Sequence, residues 1–162
     1  MEYTIVTVGP NLEQAVSRTL TQLDIPNEWF RIRRRVVHRG KLALRILPLF
    51  PGYIFVIAKA MWMQIERILG VRSFVRFGGV IENVPERVVA QLRERAGREG
   101  ILDEAALPFS QGQPVWLRVG GQETAGIFRD YAGPTKVVVD VAMLGRMCCV
   151  TARLGELRRA VS

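Results

Sequence analysis

The chain has 162 residues, 49% of them apolar, which allows one large domain or two small ones and excludes a disordered tail. A net charge of +8 and a pI near 10.5 suggest a polyanion in the surroundings, most commonly nucleic acid, although a solvated positive surface would read the same way. No apolar run approaches the roughly 18 residues of a membrane span, and Met1-Glu-Tyr-Thr-Ile-Val6 enters a strand pattern without a basic leader, so a soluble cytoplasmic protein is expected.

Tyr3–Val8 is short and β-branched and is closed by Gly9-Pro10, which predicts a strand. Asn11, with Gln14 three residues on, forms a capping-box pattern ahead of a helix whose stripe is Leu12, Val16, Leu20 and Leu23. From Trp29 to His38 the residues alternate. Phe30, Ile32 and Val36 share one face, and Trp29, Arg31, Arg33 and Arg35 share the other. Arg39-Gly40 turns the chain into a return strand carrying Leu42, Leu44 and Ile46. A hairpin with a basic face is predicted.

Prolines 48 and 51 bar regular structure before Tyr53–Ile57, a run apolar on both faces that suits a central strand. A short helix over Met61–Leu69, a strand over Ser73–Phe77 and a third helix opened by Pro85 complete the order β-α-β-β-β-α-β-α. Residues 97–113 read as a linker because they combine glycines, an acidic pair and weak periodicity. Beyond them, Val115, Leu117 and Val119, then Val137, Val139 and Val141, alternate between glycine turns, the signature of a small barrel. The expected fold class is α+β: an N-terminal α/β sandwich over 1–98, a linker over 99–111, and a small SH3-like β-barrel over 112–162.

Chemistry-bearing constellations are missing from the sequence. His38 is the only histidine, Cys148 and Cys149 are adjacent, and no zinc set, nucleophile elbow or phosphate loop is present. No cofactor, metal or catalytic residue is therefore expected, and the cysteines read as small hydrophobes in a reducing compartment. What remains are surfaces. Prolines flanking Phe50 stiffen a bend that either presents Phe50 and Tyr53 to a partner or plugs its own core. The row Arg31, Arg33, Arg35 repeats every ~6.8 Å, near phosphate spacing, but equally suits an exposed or charge-blunted sheet face.

Pro48-Leu-Phe-Pro-Gly-Tyr-Ile-Phe-Val56 resembles the NusG family of transcription elongation factors. Gly70-Val-Arg-Ser-Phe-Val-Arg-Phe-Gly78 and Val84-Pro85 are similar to its RfaH-like branch. The tail, with Gly112-x-x-Val115, Gly126, Val139-Asp-Val141 and Leu144-Gly145-Arg146, resembles the family's KOW domain. The resemblance implies a monomeric, non-enzymatic elongation or antitermination factor with an NGN domain and a KOW domain. It implies that Phe50, Tyr53, Phe55, Phe77, Val89 and Leu92 line a hydrophobic depression seating the two clamp helices of the RNA polymerase largest subunit. Contact with upstream or non-template DNA would fall to Arg18, Arg31, Arg33 and Arg35 through the phosphate backbone. Thr7 stands where RfaH-like proteins carry a tyrosine. The loop Gly121–Ala125 lacks the aromatic residues through which NusG meets Rho or a ribosomal protein. The β-branched run Lys136–Val141 predicts a stable barrel rather than a helical hairpin. A KOW-type RNA- or ribosome-binding protein is the alternative.

Overall fold

In the computed structural model, which describes residues 2–160, the first apolar run forms β1 (Glu2–Val8), buried along nearly its whole length. Next come α1 (Glu13–Gln22), β2 (Asn27–Glu28), β3 (Arg31–His38), β4 (Lys41–Pro48) and β5 (Tyr53–Val56). They are followed by α2 (Trp62–Glu66), β6 (Val71–Phe74), β7 (Arg76–Phe77), β8 (Val80–Ile81), β9 (Asn83–Pro85), α3 (Glu86–Ala96) and β10 (Ile101–Asp103). These elements make one compact unit, Met1–Asp103; a second unit spans Glu104–Ser162.

The first unit is built on an antiparallel sheet in the order β2-β5-β1-β6, with β9 also paired to β1. Strands alternate their side chains, so β1 has two different jobs. Val6 and Val8 join Ile54, Val56 and Phe74 on one face, packed with Val16 and Leu20 of α1 and Ile65 of α2. On the opposite face, Tyr3 and Ile5 sit beside Val84 and Phe55 in register. There Arg93 of α3 donates to the Tyr3 hydroxyl at 3.2 Å, which places α3 over that face. The result is the expected α/β sandwich.

Local expectations were altered in four places. Helix α1 starts at Glu13 behind Leu12, with no side-chain cap, because Asn11 takes the left-handed conformation (φ 60°) that asparagine tolerates. The strand expected over 73–77 breaks at Val75, whose N–H bonds to Ile5, and Arg76–Phe77 turn away to pair with β8. The second helix keeps only five residues. Part of the expected linker is strand: β10 runs parallel to β3, with Leu102 fully buried and Asp103 beside Arg33.

The second unit contains β11 (Pro114–Val119), β12 (Gln122–Tyr131), β13 (Lys136–Met143), β14 (Arg146–Arg153) and β15 (Leu157–Arg159). The strands are antiparallel in the order β14-β13-β12-β11-β15, the SH3-like arrangement; among the described residues no pairing joins β14 to β15. Val115, Leu117, Phe128, Val137, Val139, Val141 and Leu157 form the core. Phe109, from the segment read as linker, stacks on Phe128 within it, and the Tyr131 hydroxyl accepts the Phe109 N–H at 3.1 Å. Gly126 is required by close approach: a Cβ there would lie 2.6 Å from Val139 Cγ1.

Candidate functional site

The bend between β4 and β5 is fixed by residues distant in sequence. Leu49 N–H bonds to Phe30 O at 2.8 Å, and Val8 N–H to Gly52 O at 2.8 Å. Gly52 has φ 82°, a conformation that side-chain-bearing residues rarely adopt. Its N–H donates to Glu13 Oε1 at 2.8 Å, and Glu13 is one of the two buried polar or charged residues among those described. Sequence reading missed this role for Glu13, which looks like an ordinary first-turn acid. A charged acceptor makes this a stronger hydrogen bond than a neutral one, so it holds the bend firmly.

The aromatic residues behind the bend are brought together but mostly turned inward. Phe55 is 1% exposed and meets Phe30, Phe50 and Tyr3 edge-on at centroid distances of 5.9, 6.2 and 6.5 Å. Val89 is wholly buried, and Phe50 and Leu92 nearly so. These four side chains therefore pack their own sandwich and do not form an open wall. Around Phe55 the rings of Tyr3, Phe30 and Phe50 close edge-on, while β1 pairs beside it in the sheet. Tyr53 is half-buried, and its register partners are Thr7 on β1 and then Ser73 on β6. The Thr7 and Ser73 hydroxyls lie 3.1 Å apart. This half-buried to exposed row, Tyr53, Thr7 and Ser73, is the open end of the aromatic face. Phe77, on the separate β7–β8 hairpin, is 56% exposed.

Electrostatics tie α3 to the sheet. Arg93 donates to both carboxylate oxygens of Glu28, at 2.5 and 2.6 Å. This bond raises the already high pKa of the guanidinium, while burial, with Glu28 adding to it, pushes the Tyr3 phenol up. Arg93 and Glu28 line a cleft of about 240 Å³ together with Ser17, Trp29 and Arg98.

The basic residues are less available than their spacing suggested. Arg33 pairs with Asp103 at 3.1 Å, and Arg31 donates to Glu99 O at 2.9 Å while lying over the Trp29 ring. Arg35 is exposed, and so is Arg18, which lies on α1 away from the row. In the second unit Cys149 is exposed rather than a core hydrophobe, because its strand position faces Asp140; its sulfur accepts from Arg129 at 2.8 Å. Exposed apolar side chains gather at the β13–β14 turn, at Met143, Leu144 and Met147. Among the described residues no cluster of His, Cys, Asp or Glu is placed to hold a metal, and no helix is long and apolar enough to cross a membrane.

The α/β sandwich with its pinned aromatic bend, followed in the chain by a small all-β unit, defines a two-unit α+β protein. The chain belongs to the NusG family of transcription factors: the family model, described as transcription termination factor nusG, matches residues 1–93. Among solved structures it is similar to Thermotoga maritima NusG, from a study of domain interaction. The two share 17% identity and a TM-score of 0.39, over 98% of this chain and 96% of that one. It is also similar to the MjSpt4:Spt5 complex, at 11% identity and a TM-score of 0.30, over 98% and 97%. No curated protein matches.

Proposed function

We propose that this chain is a non-enzymatic elongation and antitermination factor that binds the clamp helices of the RNA polymerase largest subunit and favours processive elongation. The contact is made by the open end of the aromatic face, with Tyr53 at its centre, together with the exposed Phe77 of the separate β7–β8 hairpin. Phe50, Phe55, Val89 and Leu92 act as its floor: they set the shape and stiffness of the surface from below. The observation that carries this reading is that the family-matched unit spends a buried carboxylate, Glu13, on holding a bend whose only half-open ring is Tyr53. A rigid aromatic anchor loses little entropy on binding, which is what a docking surface requires. The protein acts by binding one clamp conformation better than another, and no bond is made or broken. Of the arginines expected on DNA phosphates, Arg18 is exposed and lies on α1, off the β3–β4 hairpin, and it is the side chain assigned to phosphates of nearby DNA.

The test is binding of the full chain to core RNA polymerase, read by fluorescence anisotropy, with pause lifetimes measured in parallel. Tyr53→Ser combined with Phe77→Ser is expected to weaken binding at least tenfold and to restore pausing, with the thermal midpoint of the chain little changed. Unaltered binding by a folded double variant would remove the proposal. Retained RNA binding together with no polymerase binding by the parent chain would favour the RNA-binding alternative.

A further inference from the structure

The β3–β4 hairpin carries a second surface that the clamp reading does not use. Its register sets Arg35 directly beside Leu44, Arg33 beside Ile46 and Val37 beside Leu42. Directly opposed residues share a face, so one side of the hairpin presents an arginine row flanked by an aliphatic row. The aliphatic residues are not core: Leu42 is 71% exposed, Val37 70%, Leu44 62% and Ile46 49%. Four adjacent bare aliphatic residues on one pleated face form a patch that a monomeric protein seldom leaves without a use.

The charge around this patch has one sign. Between Trp29 and Ile65 there is no Asp or Glu, while the hairpin holds Arg31, Arg33, Arg34, Arg35, Arg39, Lys41 and Arg45. Among the described residues no carboxylate pairs with Arg35, Arg39, Lys41 or Arg45. Among the described residues, the acid paired with an arginine of this face is Asp103, brought by β10 beside Arg33. A second copy of this chain would meet the patch with the same positive charge, so self-association is disfavoured. A phosphate backbone would satisfy the cations but leave the leucines bare. Single-stranded bases stack on aromatic rings, and this face has none beyond Trp29, already covered by Arg31.

We propose that this face docks an acidic amphipathic helix of a partner protein. Laid along β4, such a helix places its apolar stripe on Leu42, Leu44 and Ile46 and a flanking line of carboxylates on the arginine row, as Asp103 already does within the chain. The two rows lie about 5 Å apart, within reach of adjacent positions on one helix.

The test uses the full chain and an 18-residue fluorescent peptide with leucines at helical spacing and glutamates along one flank. A glutamine version of the peptide and a 20-base-pair DNA duplex serve as controls. The glutamate peptide is expected to bind at least tenfold more tightly than the glutamine version. Leu44→Ser with Ile46→Ser should cost tenfold or more in peptide affinity and leave duplex binding unchanged. Arg35→Glu should lose the glutamate peptide and gain one in which lysines replace the glutamates. Equal binding of the two peptides, or indifference to Leu44→Ser with Ile46→Ser in a chain whose thermal midpoint is unchanged, overturns the proposal. Duplex DNA that competes with the peptide and depends on Leu44 and Ile46 also overturns it, in favour of nucleic acid.

Discussion

Hairpins β3–β4 and β13–β14 are built to the same plan: two eight-residue strands, antiparallel, paired along their full length without a bulge. In each, one strand carries three aliphatic residues at every second position, Leu42, Leu44 and Ile46 in β4 and Val137, Val139 and Val141 in β13. Yet Val137, Val139 and Val141 of β13 are the core of their unit, whereas Leu42, Leu44 and Ile46 of β4 stand in water. The difference does not lie in either strand. Strand β13 is flanked by β12 and β14 and shares its inner face with Phe128 and Val115. Strand β4 is the outer strand of β10-β3-β4, and its aliphatic face has no covering layer. An alternating pattern thus says that a face is apolar, and the company the strand keeps decides whether that face is interior.

The comparison breaks most sharply when the same substitution is made in both places. Val139→Asp buries a charge without a partner and is expected to unfold the second unit, a loss of more than about 4 kcal/mol. Leu44→Asp is expected to stay within about 0.5 kcal/mol, because an exposed side chain on an uncovered face loses little. Thermal unfolding of the full chain followed by circular dichroism checks both; similar losses from the two changes would show that β4 is covered in solution. Next in size is Gly126→Ala. Its new methyl would crowd Val139 on the interior face, and a destabilisation of about 1–3 kcal/mol is expected in a denaturant titration. No position on the β4 face carries such a demand.

The smallest effect concerns a fully exposed pair in the second unit. Arg158 of β15 hydrogen-bonds Glu123 of β12 across the intervening β11 and holds its carboxyl below the usual value of 4.5. A depressed carboxyl contributes stability above its unfolded pKa and loses it as pH falls through the folded one. The second unit should therefore soften slightly below about pH 4.5, and Glu123→Gln should flatten that slope by removing the small contribution the pair makes at pH 7. Chemical shifts of Glu123 in an acid titration measure it directly. A midpoint at the ordinary value would show that the pair is screened away by solvent.

Much of the fold was legible because its signals are local. The β-branched runs gave β1, β5, β11 and β13, Pro85 marked the start of α3, and Arg39-Gly40 gave the hairpin turn. The site was legible only in outline. The proline-flanked bend located Phe50 and Tyr53, but nothing in the sequence distinguishes the half-open ring of Tyr53 from the sealed ring of Phe55 two residues later. Both lie on the same side of β5; the difference is that Tyr3, Phe30 and Phe50 close around one of them. Likewise Ile101–Asp103 is too short to be read as a strand, and it exists because β3 offers it an edge. The use of Glu13 on Gly52 was equally out of reach, being a contact between residues 39 apart in the chain.

That last contact has a consequence for how the molecule assembles. A helix with its own N-cap carries its start signal within a few residues and can form early. Helix α1 lacks one, and its first acid is spent on a backbone amide that lies beyond the β3–β4 hairpin in the chain. Its opening turn therefore bears the loop-closure entropy of a long intervening segment, and the rate at which α1 consolidates is coupled to the return of the chain through Gly52.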